Sequence, residues 1–372
     1  MSITVIGRDG PELPSSAAAR LRAAALVVGP APASEIVQAI DDHLEQGEGP
    51  AVVLADGDPG LFGAVRALRE RGIRPEVIPA APLVTRAFAK AGLNWEDALI
   101  VAPAGAHRLA RAVNACRAHP KVAVLCADGV GPAELARQLA PTTPRALIVC
   151  EDLGGPGERV THSRLGEATT RPWRDPDVVI VLDPLHRSEE PVWLAGAQPG
   201  PPEWALPFAT GLPPEVRAFV LARLGPRVGD LIWDVGAGHG EIAVECARLG
   251  AAVFAVERDH DRCAALRANV LRHAVKVALT RGLAPPALEP LPDPDAVYVG
   301  GGGPEVIAAC AARRPRALVC ALPDPEAARA ALAMLAGLGH PAQATRIQAA
   351  RLLPEGGEEA ADPVFVVHAR AG

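Results

Sequence analysis

The sequence predicts an α/β protein of two domains, the second with a Rossmann-like fold. Its 372 residues are too many for one ordinary hydrophobic core. Residues 3–182 alternate short apolar segments with helical patterns, which is typical of α/β folds. Residues 231–257 then combine an apolar segment, a turn with glycine at every second position, a helix and a strand that ends on Glu257. This second pattern predicts half of a Rossmann unit.

The N-terminal part is predicted to form one domain, residues 1–190. Strands are expected near Ile3 and at 25–28, 52–55, 76–78, 98–102, 122–126, 147–150 and 178–182. Helical patterns lie between them at 15–24, 61–71, 82–91, 107–118 and 132–139. Residues 184–214 interrupt this rhythm with many prolines and glycines, and they include Trp193 and Trp204. They predict a linker, placed at 191–212, that docks through its tryptophans.

The C-terminal part, residues 213–372, is predicted to be the Rossmann-like domain. Beyond the glycine turn, helices are expected at 215–224, 259–273, from Glu305, and at 325–338. Strands are expected at 277–280, 296–300, 317–322, 344–353 and 364–369. This count, with an antiparallel pair at the end, predicts a seven-stranded sheet. The acidic segment 355–362 is expected to be an exposed hairpin tip.

The glycine turn predicts a nucleoside site. A dinucleotide fingerprint that starts at Gly236 requires its third glycine at position 241, where the chain has Glu241. The spacing instead favours close approach of the backbone to a small zwitterionic tail, with Glu257 accepting the ribose hydroxyls. S-adenosylmethionine fits this pattern best. The alternative is a nicotinamide-dependent oxidoreductase, and Glu241 counts against it.

Composition excludes several other classes. The net charge of −6 gives no electrostatic reason to attract nucleic acid. No apolar run is long enough to span a bilayer, and the first residues lack a basic and apolar leader, so a soluble protein is expected. The seven cysteines form no CxxC pair and are expected to be reduced core residues of a cytoplasmic protein. The ten histidines show no HxH or HExxH spacing, so no metal site is predicted.

Two further motifs follow predicted strands, where open α/β sheets place ligand loops. They are LADGDPGLFG at 54–63 and DLGGPGERV at 152–160. Together with ITVIG at 3–7, they resemble the tetrapyrrole methylase family, whose fold has two small α/β subdomains. The second half resembles the decarboxylating precorrin methyltransferase module, a class I methyltransferase fold. That resemblance is carried by LPPEVR at 212–217, WDVGAG at 233–238, ERD at 257–259 and DAVYVGGG at 295–302.

The resemblance covers nearly the whole chain and implies a specific activity. It implies an S-adenosylmethionine-dependent methyltransferase that methylates a precorrin at meso carbons 5 and 15 and decarboxylates the ring C acetate, in cobalamin synthesis. The implied cofactor residues are Gly7, Gly57, Asp58 and Pro59 in a first cleft, and Asp234, Gly236, Ala237, Gly238, His239, Gly240, Glu257 and Ala284 in a second. No catalytic residue is assigned. Candidate partners for substrate carboxylates are Arg8, Arg86, Arg159 and Arg217, all expected to be ordinary surface residues.

The chain also departs from the pattern of the second module. Leu212 and Pro213 stand where that module has a threonine–lysine pair, and Cys320 and Pro323 stand where it has asparagine and threonine. An alternative is therefore that only the N-terminal methylation is active, and that the C-terminal module is a degenerate cofactor-binding or assembly domain. Whether the chain forms a homo-oligomer is left open.

Overall fold

A four-stranded parallel sheet begins the chain. The computed structural model describes residues 2–8, 13, 15–47, 49–61, 63–185, 208 and 211–370. The first elements are β1 (Ile3–Arg8), α1 (Ser15–Ala23), β2 (Leu26–Val28), α2 (Ala33–Gln46), β3 (Ala51–Asp56), α3 (Ala64–Glu70) and β4 (Glu76–Ile78). The strand order is β2-β3-β1-β4, and every pair is parallel. The carboxyl ends of β1 and β3 therefore lie side by side.

A mixed five-stranded sheet follows. Its elements are α4 (Leu83–Ala91), β5 (Leu99–Val101), α5 (Arg108–Ala118), β6 (Lys121–Leu125), α6 (Pro132–Leu139), β7 (Ala146–Glu151), β8 (Arg159–Arg164), α7 (Leu165–Ala168) and β9 (Pro176–Leu182). The strand order is β5-β6-β9-β7-β8. Only β5 and β6 are parallel, whereas β9 runs antiparallel to both of its neighbours. The two sheets are the two subdomains that the sequence predicts.

A seven-stranded sheet forms the C-terminal part. Its elements are α8 (Pro214–Leu224), β10 (Leu231–Val235), α9 (Glu241–Arg248), β11 (Ala252–Glu257), α10 (His260–Arg272), β12 (Ala278–Arg281), β13 (Ala296–Val299), α11 (Gly303–Ala312), β14 (Ala317–Leu322), α12 (Pro325–Gly337), β15 (Ala342–Ile347), β16 (Ala350–Leu352), β17 (Glu358–Ala360) and β18 (Val364–Arg370). The order β12-β11-β10-β13-β14-β18-β15 is parallel except for β18, which is antiparallel to β14 and β15. The predicted seven strands and terminal antiparallel pair are confirmed.

Local sequence signals explain where two of these helices begin. The Asp259 carboxylate caps α10 by accepting from the amides of Asp261 and Arg262 at 3.0 and 2.9 Å. Asp324 caps α12 by accepting from the Ala327 amide at 2.8 Å, and Pro325 occupies the first helical position. Such caps satisfy amides that the helix itself leaves without acceptors. The seven-stranded sheet carries apolar side chains on both faces, with Trp233 fully buried on one and Ile232 on the other.

Three predictions about the elements need comment. Strand β8 was not predicted, and the segment predicted as one strand at 344–353 is two strands, β15 and β16. The predicted linker at 191–212, with Trp193 and Trp204, lies outside the described residues except for residues 208, 211 and 212. The domain limits 1–190 and 213–372 therefore stay predictions. Among the described helices, none combines the length and the hydropathy that crossing a bilayer requires.

Candidate functional site

The glycine turn joins the carboxyl end of β10 to α9. Gly236, Gly238 and Gly240 all have positive φ, at 71°, 58° and 85°, a region that other residues rarely adopt. A Cβ on Gly236 would lie 2.8 Å from the Gly301 nitrogen, so that position tolerates only glycine. A Cβ on Gly238 would meet no atom within 4 Å. The middle of the turn therefore faces open space in which a ligand can approach the backbone.

Glu257 lies directly beside this turn because β10 and β11 are parallel neighbours. Its side chain is buried, with 4% exposure. Its Oε2 accepts from the Gly238 amide and its Oε1 from the Asp259 amide, each at 2.9 Å. The structure thus places the glycine turn and the Glu257 carboxylate in contact, as the sequence predicts.

Asp234 contributes a second buried carboxylate below the turn. Its Oδ2 accepts from the Ala243 amide at 2.9 Å, whereas its Oδ1 has no hydrogen-bond partner among the described residues. Burial, together with the nearby Glu241 carboxylate, raises the pKa of Asp234 to about 8. Ala237 is also buried and packs into the core beneath the turn. The unpaired oxygen of Asp234 is a buried acceptor beside the open face of the turn.

Glu241 lies beside the glycine turn, although the sequence used it only as evidence against a dinucleotide. It occupies the first position of α9, is 7% exposed, and burial raises its pKa. Its Oε1 lies 3.8 Å from Nδ1 of His239, whose side chain is 35% exposed. His239 therefore lies against a carboxylate, and does not simply point into solvent. A charged residue after three spaced glycines was the signal that could have identified Glu241.

Arg217 corrects one prediction. It was expected to be a surface residue, yet it is 2% exposed. Its Nη1 donates to the Leu212 carbonyl at 2.7 Å, its Nε lies 3.5 Å from Glu245 Oε1, and its guanidinium lies over the Phe208 ring. Arg217 is buried because α8 packs against α9 and because Phe208 lies over the guanidinium. This arginine holds the segment before α8 in place.

Ala284 follows the carboxyl end of β12, next to Glu257. The Gly282 amide donates to the Glu257 carbonyl at 3.0 Å, which fixes this loop against the end of β11. Ala284 itself is partly buried against the core. The loop is therefore adjacent to the carboxylate that was assigned to the ribose, as the implied adenine position requires.

A first cleft of about 370 Å³ lies between the four-stranded and the five-stranded sheets. Its lining includes Asp58, which is half-buried and accepts from the Gly60 amide at 2.7 Å in a tight turn. The lining does not include the predicted Gly7, Gly57 or Pro59, which are buried beside it. A Cβ on Gly7 would lie 2.6 Å from the Gly57 carbonyl oxygen. These residues therefore shape the loop that presents Asp58.

The first cleft is acidic. Asp56 and Asp177 line it together with Asp58. Burial raises the pKa of Asp177, whose Oδ2 accepts from the Leu153 amide at 2.6 Å. The sequence does not single out Asp177, because this residue directly precedes the strand predicted at 178–182, whereas in the structure it lies within β9. These carboxylates favour the cationic group of a ligand at their positions in the cleft.

Two of the remaining candidate arginines, Arg8 and Arg159, form ion pairs. Arg8 Nε donates to Asp56 Oδ1 at 3.1 Å. Arg159 donates from Nε and Nη2 to Glu151 Oε2 at 2.9 and 2.7 Å, which confirms its reading as an ion-pair arginine. Arg86 packs against Gly154, because its Nη1 occupies the place of a Cβ on that glycine. In the described part of the chain, no group of three or more His, Cys, Asp or Glu is arranged to hold a metal ion.

Each half of the chain matches a known protein family. Residues 8–169 match the family Tetrapyrrole (Corrin/Porphyrin) Methylases, and residues 213–368 match the Precorrin methyltransferase domain. The two matches, together with the two-sheet cleft and the glycine turn, define a methyltransferase of the tetrapyrrole-modifying class. They do not support the oxidoreductase alternative.

The relatives narrow this class. The chain is 31% identical over 310 residues to precorrin-6Y C(5,15)-methyltransferase [decarboxylating] of Sinorhizobium sp, which covers 76% of this chain and 70% of that protein. The chain belongs to the precorrin-6Y C(5,15)-methyltransferase (decarboxylating) family. It is also 34% identical over 190 residues to a protein of Pyrobaculum calidifontis named probable cobalt-precorrin-6B C(15)-methyltransferase (decarboxylating), covering 47% of this chain and 97% of that one.

A solved structure is also similar. The crystal structure of precorrin-6y C5,15-methyltransferase from Geobacter metallireducens is 27% identical and covers 46% of this chain and 95% of that chain, with a TM-score of 0.42. The α/β fold class, with a tetrapyrrole-methylase-like first half and a Rossmann-like second half, is confirmed by the sheets and by the two family matches.

Proposed function

We propose that this chain is a cytoplasmic S-adenosylmethionine-dependent enzyme that methylates a precorrin at meso carbons 5 and 15 and removes carbon dioxide from the ring C acetate, in cobalamin synthesis. The name of the Sinorhizobium relative supports the two positions and the decarboxylation. The observation that carries the proposal is the pair of separate sites, the acidic cleft around Asp58 and the glycine turn beside Glu257. One methylation is assigned to each.

The residues of the second site fit this cofactor. S-adenosylmethionine supplies an electrophilic methyl group on a cationic sulfur, and its tail carries an ammonium and a carboxylate. Residues 236–240 present backbone to the tail, and the open space at Gly238 leaves room for it. The Oδ1 of Asp234 has no partner among the described residues, and a cofactor ammonium beside it would favour the ionised carboxylate and give this buried oxygen a donor.

Glu257 can still accept from a ribose. A carboxylate offers about four acceptor positions. The amides of Gly238 and Asp259 use two of them, one on each oxygen. One position therefore remains on each oxygen for a ribose hydroxyl, and the two amides hold the carboxylate in the orientation that both need. Ala284, in the loop that follows β12, is assigned to the adenine.

In the first site, Asp58 is assigned to the cationic end of the cofactor. Gly57 and Pro59 fix its backbone, and Gly7 allows β1 to approach that loop closely. Asp177 lies on the same walls, together with Asp56, which forms an ion pair with Arg8. The Asp58 carboxylate favours the sulfonium form over the neutral thioether product, so it also favours exchange of spent cofactor.

The chain's own residues mainly align the reactants. Methyl transfer to an electron-rich carbon is an in-line displacement, and it needs no strong base. Asp234, Glu241 and Glu257 are buried beside the glycine turn and give the second site fixed groups. Arg217 is a positioning residue, because its hydrogen bond to the Leu212 carbonyl holds the backbone at 211–212 beside the Glu241 carboxylate.

The direct test is incubation of the full chain with precorrin-6Y and S-adenosylmethionine that carries an isotopic label in its methyl group. The proposal predicts a product that has gained two labelled methyl groups and lost one carbon dioxide. Gain of one methyl group without loss of carbon dioxide would support the alternative in which only the first site is active. A product without labelled methyl would end the proposal.

A further inference from the structure

A partly open cavity lies where the two halves of the chain meet. Its volume is about 140 Å³. The N-terminal half contributes Thr142, Thr143 and Arg145, and the C-terminal half contributes Phe254 and Lys276. The halves are joined beside it by a buried hydrogen bond of 3.1 Å from Asn114 Nδ2 to the Gly229 carbonyl. An engineered apolar cavity of about 150 Å³ holds benzene, so this one has room for a small molecule.

The walls of this cavity are positively charged. Among the described residues that line it, three are cations, Arg117, Arg145 and Lys276, and one is a carboxylate, Asp183, so their charges sum to +2. Arg145 is buried and donates to the carbonyls of Cys116, Pro144 and Arg117 at 2.8, 2.9 and 2.9 Å. Lys276 forms an ion pair with Asp183 across the two halves. A buried excess of positive charge is costly unless an anion compensates it.

Arg117, which lines this cavity, has one N–H group without an acceptor among the described residues. It is 8% exposed, its Nη1 donates to Asn114 Oδ1 at 2.9 Å, and its Nη2 donates to the Gln138 carbonyl at 3.0 Å. Its Nε has no hydrogen-bond partner among the described residues. Burial lowers the pKa of Arg117 to about 10, so the guanidinium is charged at neutral pH. A buried guanidinium N–H without an acceptor points to a ligand that carries oxygens.

The cavity is separate from both cofactor sites. Phe254 lies three residues before Glu257 on β11, which is about 10 Å along a strand. Arg145 precedes β7 and Asp183 follows β9, whereas the first cleft is lined by Pro176 and Asp177 at the opposite end of β9. An occupant of this cavity would therefore contact both halves without contacting either cofactor.

We propose that this cavity binds one tetrahedral oxyanion, either free phosphate or the phosphate group of an ester. The anion accepts from Arg117 Nε, from Lys276 and from the hydroxyls of Thr142 and Thr143, which are 3.2 Å apart. It thereby holds the N-terminal and C-terminal halves together. This inference does not depend on the proposed function, because it concerns binding alone.

The test is calorimetric titration of the full chain with inorganic phosphate and, separately, with glycerol 3-phosphate, a phosphate ester without a nucleoside, at constant ionic strength. One phosphate per chain is expected to bind, and glycerol 3-phosphate at least as tightly only if the natural ligand is an ester. Lys276→Met is expected to weaken phosphate at least tenfold, since it removes a charge-assisted contact. Thr143→Val, which keeps the side-chain volume, is expected to weaken it several-fold. Lys90→Met is the matched control, because Lys90 pairs with Glu158 on an exposed surface away from the cavity.

Two outcomes would contradict the proposal. Absence of saturable heat with both ligands contradicts it, and so does equal phosphate affinity in the parent, Lys276→Met and Thr143→Val. Thermal unfolding of each variant without phosphate shows whether it is folded. Should Lys276→Met not fold, because it leaves Asp183 buried without its cation, Thr143→Val alone decides the question.

Discussion

The Gly238 amide donates a 2.9 Å hydrogen bond to Oε2 of Glu257. This single bond joins the middle of the glycine turn to the end of the neighbouring strand. It fixes the carboxylate through the same backbone that is proposed to receive the cofactor tail. The geometry of the turn and the orientation of Glu257 are therefore coupled, and a change in either is expected to alter the second site.

Glu257→Gln is predicted to weaken S-adenosylhomocysteine binding at the second site at least tenfold. The new amide group would place a donor against the amide of Gly238 or Asp259, so one hydrogen bond is lost and a ribose acceptor with it. A destabilisation of about 1–3 kcal/mol should accompany it. Calorimetry and urea unfolding measure the two effects, and Glu358→Gln on an exposed strand is the control. Unchanged affinity would exclude Glu257 from the site.

Gly236→Ala is predicted to destabilise the chain by about 2 kcal/mol. Its φ of 71° is unfavourable for alanine, and the new Cβ would lie 2.8 Å from the Gly301 nitrogen. Gly337→Ala is the opposite control, because that exposed helical glycine has no atom within 4 Å of a Cβ. It should stabilise the chain by about 0.5–1 kcal/mol. Equal effects of the two substitutions on urea unfolding would be inconsistent with the strained turn.

Asp58→Asn is predicted to weaken the first site about tenfold for S-adenosylmethionine, which corresponds to about 1.4 kcal/mol. The amide oxygen can still accept from Gly60, so the turn should persist while the charge is lost. S-adenosylhomocysteine, which lacks the sulfonium charge, should lose less affinity. Competition between the two ligands measures this difference. Asp128→Asn, at a fully exposed side chain, is expected to change neither affinity.

Asp234→Asn is predicted to change how stability depends on pH. Burial raises the pKa of Asp234 from 3.8 to about 8, so between these values the folded chain holds a proton that the unfolded chain releases. Stability contributed by this group is therefore complete below pH 3.8 and falls as pH rises to about 8, by at most about 1.4 kcal/mol per pH unit. The asparagine variant lacks this loss.

The measurement is urea unfolding of the parent and Asp234→Asn across that range. The variant should gain stability relative to the parent as pH rises, and the gain should shrink toward acid pH. Asp261→Asn, at a fully exposed side chain, is the control. A difference between Asp234→Asn and the parent that is independent of pH would show that Asp234 is ionised in the folded chain.

The parts of the site that are local in sequence could be predicted. The turn at Gly236, the carboxylate Glu257 and the order of β10, α9 and β11 follow from glycine spacing and apolar runs, because these elements are consecutive and adjacent. Burial of Arg217 could not be predicted, since it depends on α8 packing against α9. The acidic wall at Asp177 likewise depends on how two sheets face each other.

Two strand predictions were wrong because they depend on which partner a strand pairs with. Strand β8 has the sequence RVTHSR and lies at the edge of its sheet, so it pairs only with β7 and needs few apolar residues. The predicted strand at 344–353 carries enough β-favouring residues to read as one segment. In the structure β15 joins the main sheet, whereas β16 leaves it to form an exposed hairpin with β17. Which partner a strand finds is not encoded in its own sequence.

The central claim is that one chain holds two methyl-donor sites built from different folds. Calorimetric titration of the full chain with S-adenosylhomocysteine tests it most directly. Two ligands per chain are predicted for the parent, with Glu257→Gln and Asp58→Asn each weakening a different one. Saturation at one ligand or none would contradict the claim.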